Sequence, residues 1–259
     1  MIKEDKNVEV LIAAMYQSDH SLLEKMHIET DAIVGNQCDF DSIDRFCWND
    51  NHIIYLNFSE RGVGLNRNNA LMRARGDICL FADEDMVYEK GYAAKISKAF
   101  TILGDADVIL FNIYENPITR YVITHTEKVW WHNFLRYGAV RIAFRREAIL
   151  NNGIYFNQNF GGGCKYQHGE DNIFLASCLA KGLKIYAVPV YLATLTAGSI
   201  STWREGYNKK YFSDQGQLYQ TISKRWWKLL CLQDSIRHQN SYKQNWRKSF
   251  YQMLNQKGE

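Results

Sequence analysis

Short apolar runs alternate with stretches of helical spacing along the first half of this chain. Val8–Met15 has the composition of a buried strand, and similar runs follow at 31–34, 52–58, 78–82 and 107–111. Helical apolar spacing occurs between them, at 21–26, 67–75 and 88–103. Strands that alternate with helices form right-handed βαβ units, so the sequence predicts an α/β fold built on a parallel sheet.

The pattern changes after Asn112. Strand-like runs at 121–126, 140–144 and 184–190 surround one helical stretch at 171–180, and the last fifty residues have helical apolar spacing. We therefore expect three segments: a nucleotide-binding half at 1–112, an acceptor-binding half at 113–210, and a helical basic and aromatic tail at 211–259.

Charge is concentrated in this tail. Residues 224–259 carry eight Lys or Arg and two acidic side chains, whereas the whole chain has a formal net charge of only +3. So small a total argues against a nucleic-acid partner. A basic, aromatic tail suggests either peripheral contact with an anionic membrane surface or a solvated helix packed on the body.

The remaining composition predicts a cytoplasmic protein. Six scattered cysteines form no CxxC pair, which is typical of a reduced compartment. The first eight residues are charged and lack the apolar core of a signal peptide, and no apolar run approaches the roughly 18 residues that span a bilayer.

An acidic triplet, Asp83-Glu84-Asp85, follows the apolar run at 78–82. Ligands of open parallel sheets bind beyond the carboxyl ends of the strands, and alternate carboxylates in an extended segment face the same side. Such hard oxygen ligands suit Mn²⁺ or Mg²⁺, which would offset the charge on a departing diphosphate. The alternative is an acidic turn that caps the following helix.

A second acidic pair, Glu170-Asp171, opens the helical stretch at 171–180 after glycines at 161, 162, 163 and 169. A carboxylate here can accept the proton of an incoming hydroxyl, and the glycines favour a loop that closes over substrate. Taken alone, Asp171 is better explained as a helix cap. Both acidic groups together favour catalysis.

These motifs, in this order, resemble the family 2 glycosyltransferases with a GT-A fold. The likeness covers about residues 8–203 and rests on the first strand, on 31–39, on Gly64-Leu65-Asn66-Arg67-Asn68-Asn69-Ala70, on the run into Asp83-Glu84-Asp85, and on Gly169-Glu170-Asp171. It implies a Rossmann-like, mostly parallel sheet flanked by helices, with a helical C-terminal extension. It also implies inverting transfer from a nucleotide sugar, with UDP as the expected nucleotide, to a saccharide or lipid-linked saccharide in capsule or exopolysaccharide synthesis.

The resemblance assigns roles residue by residue. Asp171 is the expected base, with Glu170 beside it, and Asp83 and Asp85 are the expected metal ligands. The expected donor-binding residues are Ala13, Met15, Asn36, Asp39, Arg67, Asn68, Asp83 and Glu84. Two departures stand out: Asn36 replaces a carboxylate, and 191–203 lacks the histidine that serves relatives as a third metal ligand.

The expected acceptor-binding residues are Trp130, Trp131, His168 and Trp203, although tryptophans are more often core or interface residues. Two other classes stay open. A sugar nucleotidyltransferase needs a phosphate loop rich in glycine and lysine near its first strand, which residues 13–17 do not supply. A non-catalytic carbohydrate-binding protein would tolerate Asp171→Asn.

Overall fold

A computed structural model describes residues 7–118, 120–196 and 206–255. Its strands are β1 (Val8–Met15), β2 (Asp31–Gln37), β3 (Ser42–Trp48), β4 (Asn51–Phe58), β5 (Ile78–Asp83), β6 (Met86–Tyr88), β7 (Val108–Tyr114), β8 (Glu127–Val129), β9 (Ile142–Arg145) and β10 (Ile185–Leu195). Its helices are α1 (Leu22–Lys25), α2 (Val63–Arg73), α3 (Tyr92–Ile102), α4 (Arg146–Asn151), α5 (Glu170–Ala180), α6 (Lys209–Ile222), α7 (Trp227–Arg237), α8 (Gln239–Tyr242) and α9 (Trp246–Leu254). Short 3-10 turns occur at Phe134–Arg136 and Ala139–Arg141.

All ten strands belong to one sheet. The order is β3-β4-β2-β1-β5-β9-β7-β10-β6, and β8 pairs with β10. β1, β2, β4, β5, β7 and β10 run in one direction, and the other four run against their neighbours. The α/β class with a central, helix-flanked sheet is therefore confirmed, and the carboxyl ends of six strands meet at one edge.

Both faces of the sheet are buried, which explains the continuous apolar runs. Side chains alternate between faces along each strand. In β1, Val10 and Ile12 join the core beneath α1 and α3, whereas Leu11 joins the core beneath α2 and α5. A strand buried on both faces must be apolar throughout, and this is the signal that the sequence carries.

The edge strand β3 was not predicted from the sequence. It forms a hairpin with β4 through Asn49 and Asp50, which both adopt the left-handed conformation. Two-residue turns of this kind match the twist of antiparallel strands. The run Ser42–Trp48 mixes polar and apolar side chains without regular alternation, so the turn residues Asn49 and Asp50 were the available signal.

The predicted strand at 121–126 is wrong. No strand is assigned there, and β8 begins only at Glu127. The reason is the side chain of Asn112: its Nδ2 donates to the Ile123 carbonyl at 2.8 Å, and its Oδ1 accepts the Ile123 N–H at 3.0 Å. A side-chain amide thus satisfies the backbone groups that a neighbouring strand would otherwise bond.

The chain ends in packed helices, which confirms the predicted helical C-terminal extension. Buried Phe212, Tyr219, Cys231 and Met253 form a small core between α6, α7 and α9. None of the helices in the described ranges is long and apolar enough to cross a membrane. The predicted segment boundaries at 112 and 210 stay predictions.

Candidate active site

The acidic triplet is fixed to the end of β1. Asp83 closes β5 and pairs with Ala13, and the N–H of Glu84 donates to the Ala13 carbonyl at 3.1 Å. The Glu84 carboxylate accepts the N–H of Met15 at 3.2 Å and Nε2 of Gln17 at 2.6 Å. Burial raises the pKa of Glu84. The side chain of Glu84 therefore links two strand ends that carry predicted donor-binding residues.

Close packing between β2 and α2 places Arg67 at this edge. Gly35 has no side chain, so the amide of Asn66 reaches over it and donates to the Gly35 carbonyl at 2.7 Å. A Cβ on Gly35 would lie 1.9 Å from Oδ1 of Asn66. The next residue of α2 is Arg67, which is only 3% exposed.

Arg67 joins the two acidic groups. Its Nη2 donates to Oδ1 of Asp83 at 2.7 Å, and its Nη1 donates to Oε1 of Glu170 at 3.0 Å. Because the guanidinium is planar and rigid, it holds both carboxylates at a fixed separation. The strand-end triplet and the pair that opens α5 therefore lie in one cleft, although Arg67 and Glu170 are 103 residues apart.

Asp171 lies in the first turn of α5, beside this ion-pair network. The N-cap residue of the helix is Gly169, in a left-handed conformation with φ of 99°, so Asp171 is not the N-cap but an acidic residue of the first turn, where the helix dipole also favours its charge. Its Oδ1 accepts the N–H of Asn172 at 2.7 Å, and its Oδ2 lies 3.5 Å from the position of a Cβ on Gly138. Burial and the negative charge of Glu170 raise the pKa of Asp171 to about 7.

A carboxylate with a pKa near neutrality can both accept and hold a proton at physiological pH, which is the property of a general base. The structure therefore supplies, within one site, a strand-end triplet next to a buried arginine and a carboxylate suited to proton transfer.

Two predicted donor-binding amides form hydrogen bonds with the protein's own backbone. Asn36 is buried, bonds both backbone groups of Gln17 at 2.9 Å, and donates to Asn57 at 2.7 Å. Asn68 bonds the backbone of Phe156 in the same two-way manner. In this structure both asparagines hold loops at the edge of the cleft, and their contact with donor stays a prediction.

Asp39 is open to solvent, with 79% of its side chain exposed, and it pairs with Arg61 at 2.8 Å. Arg61 also donates to the hydroxyl of Tyr16 at 3.1 Å and lies over the Tyr16 ring. Sequence reasoning missed Arg61 and Tyr16, and no local pattern marks them. Their position beside Asp39 became visible only in the fold.

The predicted acceptor residues lie in different surroundings. Trp130 and Trp131 are each about half exposed. His168 contacts α6, where its Nε2 lies 2.7 Å from Oε1 of Gln215 and its ring stacks on Tyr211. Trp203 lies outside the described residues. The acceptor roles of these four side chains stay predictions.

Asp83 and Asp85 offer hard oxygen ligands of the kind that Mn²⁺ and Mg²⁺ prefer. The carbonyl of Asp85 accepts the N–H of Thr196 at 2.8 Å, which ties the triplet to the end of β10. Among residues 7–118, 120–196 and 206–255, no three His, Cys, Asp or Glu side chains are grouped to hold a metal. The donor set fits a cation that takes its remaining ligands from substrate phosphates and water.

Comparison with known proteins identifies the fold and the family. The sequence profile described as glycosyl transferase family 2 matches residues 21–162, more than half of the chain. No curated protein matches the sequence.

Solved structures share the architecture. TarS 1-349 from S. aureus in complex with UDP-GlcNAc has a TM-score of 0.64 at 14% identity, over 96% of this chain and 90% of that one. The UDP complex of the same protein gives 0.60 at 16% identity, over 90% and 72%. The mannosyltransferase PcManGT from Pyrobaculum calidifontis, in complex with GDP-Man and Mn2+, gives 0.51 at 14% identity, over 86% and 65%. At these identities the likeness shows the fold.

Proposed function

Because the chain belongs to glycosyl transferase family 2, we propose that it transfers a sugar from a nucleotide-sugar donor to an acceptor hydroxyl, with inversion at the anomeric carbon. One observation carries the proposal. Arg67 holds Asp83 and Glu170 at 2.7 and 3.0 Å, and so brings the donor-side triplet and the proposed base into one cleft.

The donor lies at the carboxyl ends of β1, β2 and β5. Family membership and the complexes of TarS with UDP and UDP-GlcNAc support a UDP-sugar. Asp39, which is exposed beside the Tyr16 ring, faces solvent where a nucleoside can reach it. Nε of Arg67 has no hydrogen-bond partner within the described part of the chain, so its N–H is available for the donor substrate.

Asp83 and Asp85 would hold Mn²⁺ or Mg²⁺, and the comparison protein PcManGT was crystallised with Mn2+. When bound, the cation supplies positive charge that stabilises the departing diphosphate. Glu84 keeps the triplet in place through Met15 and Gln17.

Asp171 acts as general base. Its carboxylate takes the proton of the acceptor hydroxyl while the oxygen attacks the anomeric carbon and the nucleoside diphosphate leaves from the opposite side. A single displacement of this kind inverts the configuration. Glu170, held by Arg67, keeps a negative charge next to Asp171, and this charge makes Asp171 a stronger base.

The acceptor is a saccharide, free or linked to a lipid diphosphate, of the kind used in capsule or exopolysaccharide synthesis. The exposed Trp130 and Trp131 offer apolar faces for sugar rings. Peripheral contact with the inner face of the cell membrane is supported by the exposed Trp226, Leu229 and Ile236 on and just before α7, next to exposed Lys224, Arg225 and Lys228.

The test is a screen of nucleotide sugars for release of free nucleotide, with Mn²⁺ and with EDTA. We expect release from one UDP-sugar, suppressed by EDTA and by Asp85→Asn. Asp105→Asn is the matched control, because Asp105 forms an exposed ion pair with Lys184 away from the cleft. Release from no nucleotide sugar, with or without acceptors, would contradict the proposed function.

A further inference from the structure

Arg141 is a buried cation with unsatisfied hydrogen-bond donors. The residue is 2% exposed, and its Nε and Nη1 have no hydrogen-bond partner within the described ranges. Its Nη2 makes one long contact, 3.3 Å to Oδ1 of Asn112, an atom that already accepts the Ile123 N–H. A guanidinium has five N–H donors, and leaving them unpaired away from water costs several kcal/mol of folding free energy.

The surroundings compensate this charge only in part, through Glu115. Arg141 lines a small cleft of about 50 Å³ together with Arg120 and Glu115. Arg120 donates to Glu115 at 3.0 Å, so the one carboxylate that lines the cleft already pairs with the other arginine. Burial and the neighbouring Arg120 both lower the pKa of Arg141. The cleft therefore has a surplus of one positive charge.

Strand register places the cleft next to the active site. Leu80 of β5 and Ile109 of β7 both pair with Ala143 of the intervening β9. Three residues further along each strand are Asp83 and Asn112, which are therefore level across the sheet. Phe81 and Leu110, two residues before them, belong to the same core. Side chains two residues apart on a strand lie on one face, so Asp83 and Asn112 also face that core. Two strand spacings separate them, which is about 10 Å.

The turn that carries Arg141 also passes the proposed base. Gly138, whose added Cβ would lie 3.5 Å from Asp171, precedes the 3-10 turn Ala139–Arg141. Such a turn advances ~2 Å per residue, so the backbone of Arg141 is roughly 6 Å from that of Gly138. The cationic cleft is therefore near Asp171, on the side of the sheet where β7 and β10 lie and away from β1 and β2.

We propose that Arg141, with Arg120, binds an oxyanion carried by the acceptor: a phosphate or a carboxylate within about one residue of the hydroxyl that is glycosylated. The identification of the ligand as the acceptor rests on the proposed function. Its identification as an oxyanion rests on the buried guanidinium. A guanidinium binds both anions through charge-assisted N–H···O bonds, and a ligand of this kind would supply a hydrogen-bond acceptor that Nε or Nη1 lacks. The stacked rings of Tyr114 and Tyr191, whose centroids are 3.9 Å apart, form one wall of the cleft.

The direct test follows the arginine Nε–H signals by NMR in the full-length protein while inorganic phosphate, acetate or chloride is added at matched ionic strength. The Arg141 signal, assigned through its own backbone, should shift saturably with an oxyanion and stay in place with chloride. A shift with phosphate alone identifies a phosphorylated acceptor, and a shift with acetate alone identifies an acidic sugar. No saturable shift with either would overturn the proposal.

The same experiment distinguishes an acceptor-binding cleft from a donor-binding one. If UDP moves the Arg141 signal and phosphate no longer does so afterwards, the cleft belongs to the donor diphosphate and the acceptor assignment is wrong. This readout needs no turnover, so it fails or succeeds independently of the proposed transferase activity.

Activity provides a second readout. Arg120→Met changes a side chain that is 43% exposed and should leave the fold intact. It should raise the KM for an anionic acceptor at least tenfold, while release of nucleotide without acceptor stays unchanged. Arg141→Lys should show the same pattern, and Arg45→Met, an exposed position on the edge strand β3, should show neither effect. An equal loss with neutral and anionic acceptors would contradict the proposal.

Discussion

Arg67 carries its charge in a nearly water-free position, and two carboxylates compensate it. Removal of one member of a buried ion pair leaves the other charge uncompensated. Arg67→Met should therefore lower the free energy of unfolding by about 3 kcal/mol, measured by urea denaturation. The matched variant Arg61→Met breaks an exposed pair and should cost less than about 1 kcal/mol.

The origin of this loss can be isolated with a second substitution. Glu170→Gln removes the charge that Arg67→Met leaves buried, so the double variant should recover part of the lost stability. Additive losses in the double-mutant cycle would show that Arg67 and Glu170 are not energetically coupled, contrary to the 3.0 Å contact.

Asp171 determines the expected pH dependence. Only the ionised carboxylate accepts a proton, and its pKa is raised to about 7. The kcat/KM should therefore fall as the pH falls through about 7, whereas an ordinary aspartate would keep activity down to about pH 4. The measurement is the pH profile of nucleotide release in the presence of acceptor. A flat profile from pH 5 to pH 8 would rule out Asp171 as the titrating base, and Asp105→Asn should keep the wild-type profile.

At the scale of elements, the contact between β2 and α2 determines where Arg67 lies. A methyl group on Gly35 would collide with the Asn66 side chain at 1.9 Å, so Gly35→Ala should displace this amide and disturb the contact between β2 and α2. We expect an unfolding penalty of about 1–3 kcal/mol and at least a tenfold weaker UDP affinity by calorimetry.

Gly104→Ala is the control for this contact, because the nearest atom to its added Cβ is 3.9 Å away. It should leave UDP affinity unchanged. Equal UDP affinity in both variants and the wild type would mean that the position of α2 does not control the donor site.

Helix α7 and the residue before it carry exposed apolar side chains that the other helices of the tail do not cover. Trp226 and Leu229 are 52% and 55% exposed, next to three exposed cations at 224, 225 and 228. We expect the protein to cosediment with phosphatidylcholine vesicles only when they contain phosphatidylglycerol. Replacement of Trp226 and Leu229 by Ser should reduce the bound fraction several-fold.

The surface control for the vesicle experiment is Ile102→Ser, which removes a side chain that is 71% exposed at the end of α3. It should bind vesicles like the wild type. Equal binding to neutral and anionic vesicles would contradict an electrostatic contribution from the tail.

The strands that sequence predicts best are those buried on both faces. β1 and β5 are continuous apolar runs, and their predicted and observed bounds agree within one residue. β3 is an edge strand with mixed polarity, and such strands give weak signals. The strand predicted at 121–126 does not form, because the side chain of the buried Asn112 bonds the backbone of Ile123. No local sequence pattern reveals such a partner.

At the scale of the molecule, the two acidic motifs could be predicted from the sequence, but what joins them could not. Asp83-Glu84-Asp85 and Glu170-Asp171 were identified by their positions at a strand end and a helix start. The Arg67 bridge spans 103 residues to Glu170, and the Arg61 contact with Tyr16 spans 45. Contacts at such separations depend on the order of strands in the sheet, which spacing along the chain does not determine.

The central claim is that donor binding and proton removal are separate tasks of one cleft, and one comparison tests it: the UDP-sugar affinity and the turnover of Asp171→Asn. We expect an unchanged Kd for the donor and a turnover lower by about 10²- to 10⁴-fold. The thermal midpoint at pH 8 should be equal or higher, because the folded state disfavours the ionised form of Asp171. Wild-type turnover in a folded Asp171→Asn variant would contradict the account.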